Sequence, residues 1–173
     1  MNDSSGITRA FTDARDLAIQ AECFWVSPKN KIITVFGSGD QKVSMSKISA
    51  AVQAVATVLS QPEKVANRPA HFTDYTTSTN QLIEMVQGIE GQSKWKVVNM
   101  SLNTFFEDGK KAYAKDTEAG VKDRLNTPAY QMLGTYGVFE EGNKRGSNFG
   151  GKAEVEWEKP LDELKNDLQD LIR

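Results

Sequence analysis

Lys31-Ile-Ile-Thr-Val-Phe-Gly-Ser-Gly-Asp40, followed by Ser46-Lys-Ile-Ser-Ala-Ala-Val-Gln-Ala-Val-Ala-Thr-Val-Leu-Ser60, decides the fold class. Ile32, Ile33, Val35 and Phe36 make a short β-rich run, closed by Gly37-Ser-Gly39-Asp40. Ile48, Ala51, Val52, Val55, Ala56, Val58 and Leu59 then fall at helical spacing on a broad apolar face. Ser46 is the candidate N-cap, and Pro62 is expected to stop the helix. A strand, a glycine turn and an apolar helix form an α/β unit.

Upstream, Ala10, Phe11, Ala14, Leu17, Ala18, Ala21 and Phe24 predict a helix over residues 8–24, and Pro28-Lys29-Asn30 predicts a turn. Downstream, Ala70 to Tyr75 reads as a strand. Ser78-x-x-Gln81 is a capping box ahead of a helix that ends near Gly88 or Gly91. Trp95, Val97 and Val98 give another strand. Leu102 to Ala114 gives a helix, and Pro128 opens a further one through Met132-Leu133. After a glycine-rich stretch over 134–153, Pro160 starts an amphipathic helix carrying Leu161, Leu164, Leu168, Leu171 and Ile172. The expected fold is α/β, a small sheet of about three or four short strands flanked by helices, too small for a full doubly wound sheet.

The chain has 173 residues, and 1–173 is expected to form one domain with a core of its own. Hydrophobic residues make up 39%, charged residues 25%, and the net charge is −2. Basic residues cluster only at Lys110-Lys111 and Lys144-Arg145, so no nucleic-acid partner is expected. No apolar run reaches the length of a membrane span. The N-terminal Met-Asn-Asp-Ser-Ser-Gly lacks the basic and apolar regions of a signal peptide, and Cys23 has no second cysteine to pair with. Cytoplasmic residence is the expectation.

The ordered set from Ile7 to Asp170 resembles the C-terminal, substrate-side part of the NmrA-like and isoflavone-reductase-like proteins, a branch of the atypical short-chain dehydrogenases. It comprises Ile7-x-x-x-Phe11-x-Asp13, Trp25 to Asp40, Ser46 to Leu59, Gln61 to Asn67, the helix at Ser78, the strand at Trp95 and the helix at Leu161-Asp162-Glu163. The resemblance implies a truncated relative of a Rossmann protein, lacking the N-terminal dinucleotide-binding half. Gly37-Ser-Gly39 lacks the third glycine of a dinucleotide fingerprint and suits a turn between a strand and a helix better than a phosphate cradle. No cofactor is expected, and no catalytic residue is carried over from the family. Arg9 and Val52 stand where the family favours small residues, which implies repacking.

His71 is the single histidine. On a strand, His71 and Tyr75 share one face while Asp74 turns away. They are the catalytic candidates, His71 and Tyr75 with Asp74 as a further acid–base group, against the reading of His71 as a strand residue with no role. Scattered carboxylates, one His and one Cys make no metal-ligand set. Cys23, between Glu22 and Phe24, reads as structural rather than nucleophilic. Phe11, Phe24 and Trp25 lie near the start, with Tyr113, Tyr130 and Tyr136 further on beside Phe139. In the family these two regions face the substrate cleft. With Asp13 and Glu22 they suit a flat, partly aromatic small molecule; equally, these rings are core or interface.

The resemblance implies a small-molecule-binding protein of secondary metabolism. The expected function is that of a cofactor-independent, non-redox enzyme such as an isomerase, cyclase or rearrangement catalyst, with acid–base residues in an aromatic-lined cavity. The alternatives are a non-catalytic metabolite-binding or regulatory protein, and an inactive truncated NAD(P)H-dependent reductase. Apolar surface left by a lost domain predicts a homodimer.

Overall fold

The structure, a computed structural model, describes residues 25–172 apart from 29, 92, 93 and 155. The helix expected over 8–24, with Phe11, Asp13, Glu22, Cys23 and Phe24, lies outside the described residues. Five strands and six helices are found among those described. They are β1 (Val26–Ser27), β2 (Ile32–Phe36), β3 (Lys42–Met45), α1 (Ile48–Ser60), α2 (Pro62–Val65), β4 (Tyr75–Ser78), α3 (Thr79–Glu90), β5 (Lys96–Met100), α4 (Leu102–Glu118), α5 (Pro128–Phe139) and α6 (Leu161–Ile172).

The fold is a small α/β structure with two sheets. One has the order β1-β2-β5, with β1 antiparallel and β5 parallel to β2, in register from Ile32 against Lys96 to Phe36 against Met100. The other pairs β3 with β4, Lys42 opposite Ser78 and Met45 opposite Tyr75. The central strand β2 is an unbroken Ile-Ile-Thr-Val-Phe run buried from Ile33 to Phe36, as expected of a strand covered on both faces. A shared core joins the sheets to the helices: Ile33 and Phe36 of β2, Val43 of β3, Tyr75 of β4, Leu82 and Val86 of α3, Phe139 of α5 and Leu164 of α6.

Trp25 belongs to this core. Its Nε1 donates to the buried Thr79 Oγ1 at 2.9 Å, and its ring meets Phe139 edge-on at 5.2 Å. Phe139 in turn stacks on Phe36 at 5.2 Å. A buried indole that satisfies its N–H inside the protein is a packing element, so Trp25 takes the core side of its two readings.

Several boundaries differ from the sequence-based expectation. The Gly37-Ser-Gly39 turn joins two strands, because Lys42–Met45 forms β3 before α1 begins. It is pinned to the start of α3: Asn80 N donates to Gly39 O, and Asn80 Nδ2 donates to Ser38 O and Asp40 Oδ1. Gly39 has φ +77°, and a Cβ there would stand 2.6 Å from Asn80 Oδ1, so the tight approach requires glycine.

The strand expected at Ala70 to Tyr75 starts at Tyr75 instead and runs to Ser78. Residues 71–74 are tied by irregular bonds: Thr73 Oγ1 and Asp74 N both donate to Met45 O, and Glu154 N donates to His71 O. Ser46 is not the cap of α1. Lys47 holds that position and donates its backbone N–H to Asp74 Oδ2 at 2.8 Å, while Ser46 Oγ accepts from Asp74 N. Pro62 opens α2, where its missing N–H costs nothing.

Candidate active site

The catalytic residues expected from sequence separate. His71 stacks on Phe149 in the loop before α6, with ring centroids 4.9 Å apart. Tyr75 faces α6 instead, and its hydroxyl donates to Asp167 Oδ2 at 2.6 Å. The shared strand face of His71 and Tyr75 is therefore not formed, since β4 begins only at Tyr75.

Asp74, expected to turn away, lies in the same charged group as Tyr75. It is fully buried and receives Lys47 N on Oδ2 and Lys159 Nζ on Oδ1, the latter at 2.6 Å. Lys159 Nζ also stands 5.9 Å from the centre of the Tyr75 ring, and Lys47 Nζ pairs with Asp167 at 2.6 Å. Burial, and then the bond to Asp167, hold the Tyr75 hydroxyl well above the usual phenol range. Lys47 first and Tyr75 second hold Asp167 below the usual carboxylate range. A phenol made harder to ionise, facing a carboxylate already occupied by an ammonium, is a clasp between β4 and α6. It is a poor base.

A cleft lies elsewhere, at the carboxyl ends of the parallel pair β2 and β5, where open α/β sheets bind ligands. Its volume is about 500 Å³, within the range of small-molecule sites. Gly37 closes the end of β2 by donating its N–H to Met100 O at 3.1 Å. Asn99 and Met100 end β5, and Ser101, Leu102 and Asn103 begin α4 on the cleft wall. Tyr136, Glu140, Glu141 and Lys144 complete the lining from the end of α5 and the loop after it. The wall is more polar than the aromatic cavity expected.

The start of α4 presents donors. Ser101 Oγ caps Thr104 N, and Ser101 O receives Phe105 N. Leu102 and Asn103 occupy the first two helical positions, whose N–H groups have no carbonyl one turn back. Glu140 presents an acceptor. It caps the C-terminus of α5, with its own N–H bonded to Tyr136 O. The residue is 6% exposed, and its buried Oε1 has no hydrogen-bond partner among the described residues. Glu141 Oε1, by contrast, accepts from Gln41 Nε2 at 3.2 Å on the exposed rim.

Of the aromatic residues expected in a cavity, Tyr136 reaches this cleft, stacked at 4.1 Å on Phe106 of α4. Tyr113 is exposed on α4 beneath the Arg124 guanidinium at 4.6 Å, and Tyr130 is exposed on α5. Glu140, Lys144, Asn99 and Asn103 were not singled out from sequence. The available signal was the junction of a strand at 96–100 with a helix capped by Ser101-x-x-Thr104, which marks a strand's carboxyl end. Among the described residues no group of three or more His, Cys, Asp or Glu side chains is placed to hold a metal ion, and no helix is long and apolar enough to cross a membrane.

Fold and cleft together define a small α/β protein with a cleft at the carboxyl ends of a parallel strand pair. No family model matches the chain, and no solved structure matches it. Two curated proteins are similar to part of it, both named Oxidoreductase poxI, from Penicillium oxalicum and from Penicillium oxalicum strain 114-2 / CGMCC 5302. Each is 29% identical over 79 residues, which is 46% of this chain and 25% of the relative. The chain thus spans about a quarter of the length of the curated relatives it matches.

Proposed function

We propose that this chain is an NmrA-like protein of secondary metabolism that binds a small molecule in the β2–β5 cleft and acts as a cofactor-independent, non-redox isomerase or cyclase. One observation supports this above the others: Glu140 Oε1 is buried in the cleft wall without a hydrogen-bond partner among the described residues. An acceptor placed there is costly unless a ligand donates to it. In the reaction class proposed, Glu140 takes the proton of a substrate hydroxyl carried on a carbon–carbon double bond. The O–H pair becomes the carbonyl π bond, and the C=C pair takes the proton back at carbon. Substrate and product are then isomers.

The test is to incubate the protein with a small-metabolite extract in D₂O, with and without NADPH, and to compare masses. The expected product is isomeric with its substrate apart from the incorporated deuterium. It forms without NADPH and is lost in Glu140→Gln. A product differing by two hydrogens, formed only with NADPH, would defeat this reading. It would favour a second one, an active oxidoreductase, supported by the printed name of the two relatives, Oxidoreductase poxI. Binding without any conversion would leave a metabolite-binding protein.

A further inference from the structure

We infer that the β2–β5 cleft takes an aromatic hydroxy acid, whose carboxylate lies on the N-terminus of α4 and Lys144 and whose hydroxyl donates to Glu140. This rests on the cleft being the ligand site, and it names the ligand's chemistry. The donor side comes first. Leu102 and Asn103 bring N–H groups that the helix itself leaves without acceptors, at the positive end of a helix running to Glu118. An exposed ammonium, Lys144, stands on the same cleft wall. Backbone donors at a helix start beside an ammonium suit a carboxylate.

Glu140 lines the same cleft, is 6% exposed, and has no hydrogen-bond partner for Oε1 among the described residues. It cannot welcome a second anion, so the ligand must bring a donor to it. Glu141, the other carboxylate of the lining, is exposed and already receives Gln41 Nε2, so water and that amide offset its charge. The same lining includes the flat side chain of Tyr136 and the apolar Leu102 and Met100. Donors, an apolar wall and an acceptor in one cleft suit a carboxylate and a hydroxyl joined through an aromatic ring.

Three probes separate the parts. 3-(4-Hydroxyphenyl)propionate carries both groups, 3-phenylpropionate lacks the hydroxyl, and 4-ethylphenol lacks the carboxylate. Each is titrated into the whole chain while the backbone amide resonances of Leu102, Asn103 and Gly37 are followed. The full probe is expected to shift these amides and to bind about tenfold or more tightly than either truncated one, a loss of about 1.4 kcal/mol or more per group. Glu140→Leu, which removes the acceptor, should abolish the advantage over 3-phenylpropionate, and Lys144→Met, a change at an exposed residue, should reduce the advantage over 4-ethylphenol. Equal affinity of 3-phenylpropionate overturns the role of Glu140. Equal affinity of 4-ethylphenol overturns the carboxylate seat. If no probe shifts these amides while the extract assay shows turnover dependent on Glu140, this inference falls and the proposed function stands. Binding as expected without turnover has the opposite meaning.

Discussion

Tyr75 shows how one side chain acquires its role from what reaches it. Its ring fills the core, and its hydroxyl crosses to Asp167 on α6, where Lys47 also binds. Replacing Tyr75 by Phe keeps the ring and removes the bond. We expect a loss of about 1.5–3 kcal/mol at neutral pH, typical of a hydrogen bond to a charged partner, read as a lower urea midpoint at unchanged slope. The pH dependence follows from the direction of each shift. Asp167 is held below its ordinary value, so its contribution is present above about pH 4 and lost as pH falls through the folded value. Tyr75 and Lys159, the latter through its bond to Asp74, are held above theirs. Their contributions are present below about pH 10 and lost as pH rises beyond it. Urea midpoints measured from pH 3 to 11 should fall at both ends. Asp167→Asn should flatten the acid fall and Tyr75→Phe the alkaline one. An alkaline limb unchanged in Tyr75→Phe would show that the clasp contributes nothing to it.

At the scale of elements, α4 and α5 pack closely because Gly109 leaves room. A Cβ there would stand 3.0 Å from Met132 Cβ and 3.3 Å from Leu133 Cδ2. Gly109→Val should therefore cost about 1–3 kcal/mol through overpacking, seen as a lower melting temperature. If the variant melts at the wild-type temperature, the two helices do not depend on that contact. The elements themselves were unequally legible. Ser78 and Gln81 announce α3, since a capping box is written in adjacent residues, and the structure forms both of its bonds. The start of α5 was equally plain from Pro128, which takes its first position. Lys42-Val-Ser-Met45 gave no strand signal, because β3 owes its existence to pairing with β4, which is distant in sequence. The same holds for residues 71–74, whose hydrogen bonds are set by Met45 and the loop at Glu154. The cleft was the least legible part. Tyr136 stood out as an aromatic, but Glu140 is one of 23 acidic residues, distinguished only by burial at the end of α5.

At the scale of the molecule, the apolar pattern of α1 runs further than its packing. Val52, Val55 and Leu59 repeat along one side of the helix and are 67%, 61% and 76% exposed. No charged residue interrupts Ile48–Ser60. Strand β5 is an edge of its sheet among the described residues, and Val97 and Met100 are also exposed. Scattered apolar residues on a surface need no explanation, but an uncharged helix with an outward stripe does. We propose that a second copy of the chain covers it, α1 against α1 about a twofold axis. In such an arrangement the same stripe serves both sides of the interface. An identical helix is a suitable cover because neither face carries a charge to be desolvated. Sedimentation at micromolar concentration should give twice the mass of the chain. Val55→Glu combined with Leu59→Lys should give the mass of one chain with an unchanged circular dichroism spectrum, because both side chains already face solvent. A wild-type mass of one chain would sink the dimer. A double variant that stays dimeric would move the interface away from α1, with the β5 edge the next surface to test by substituting Val97.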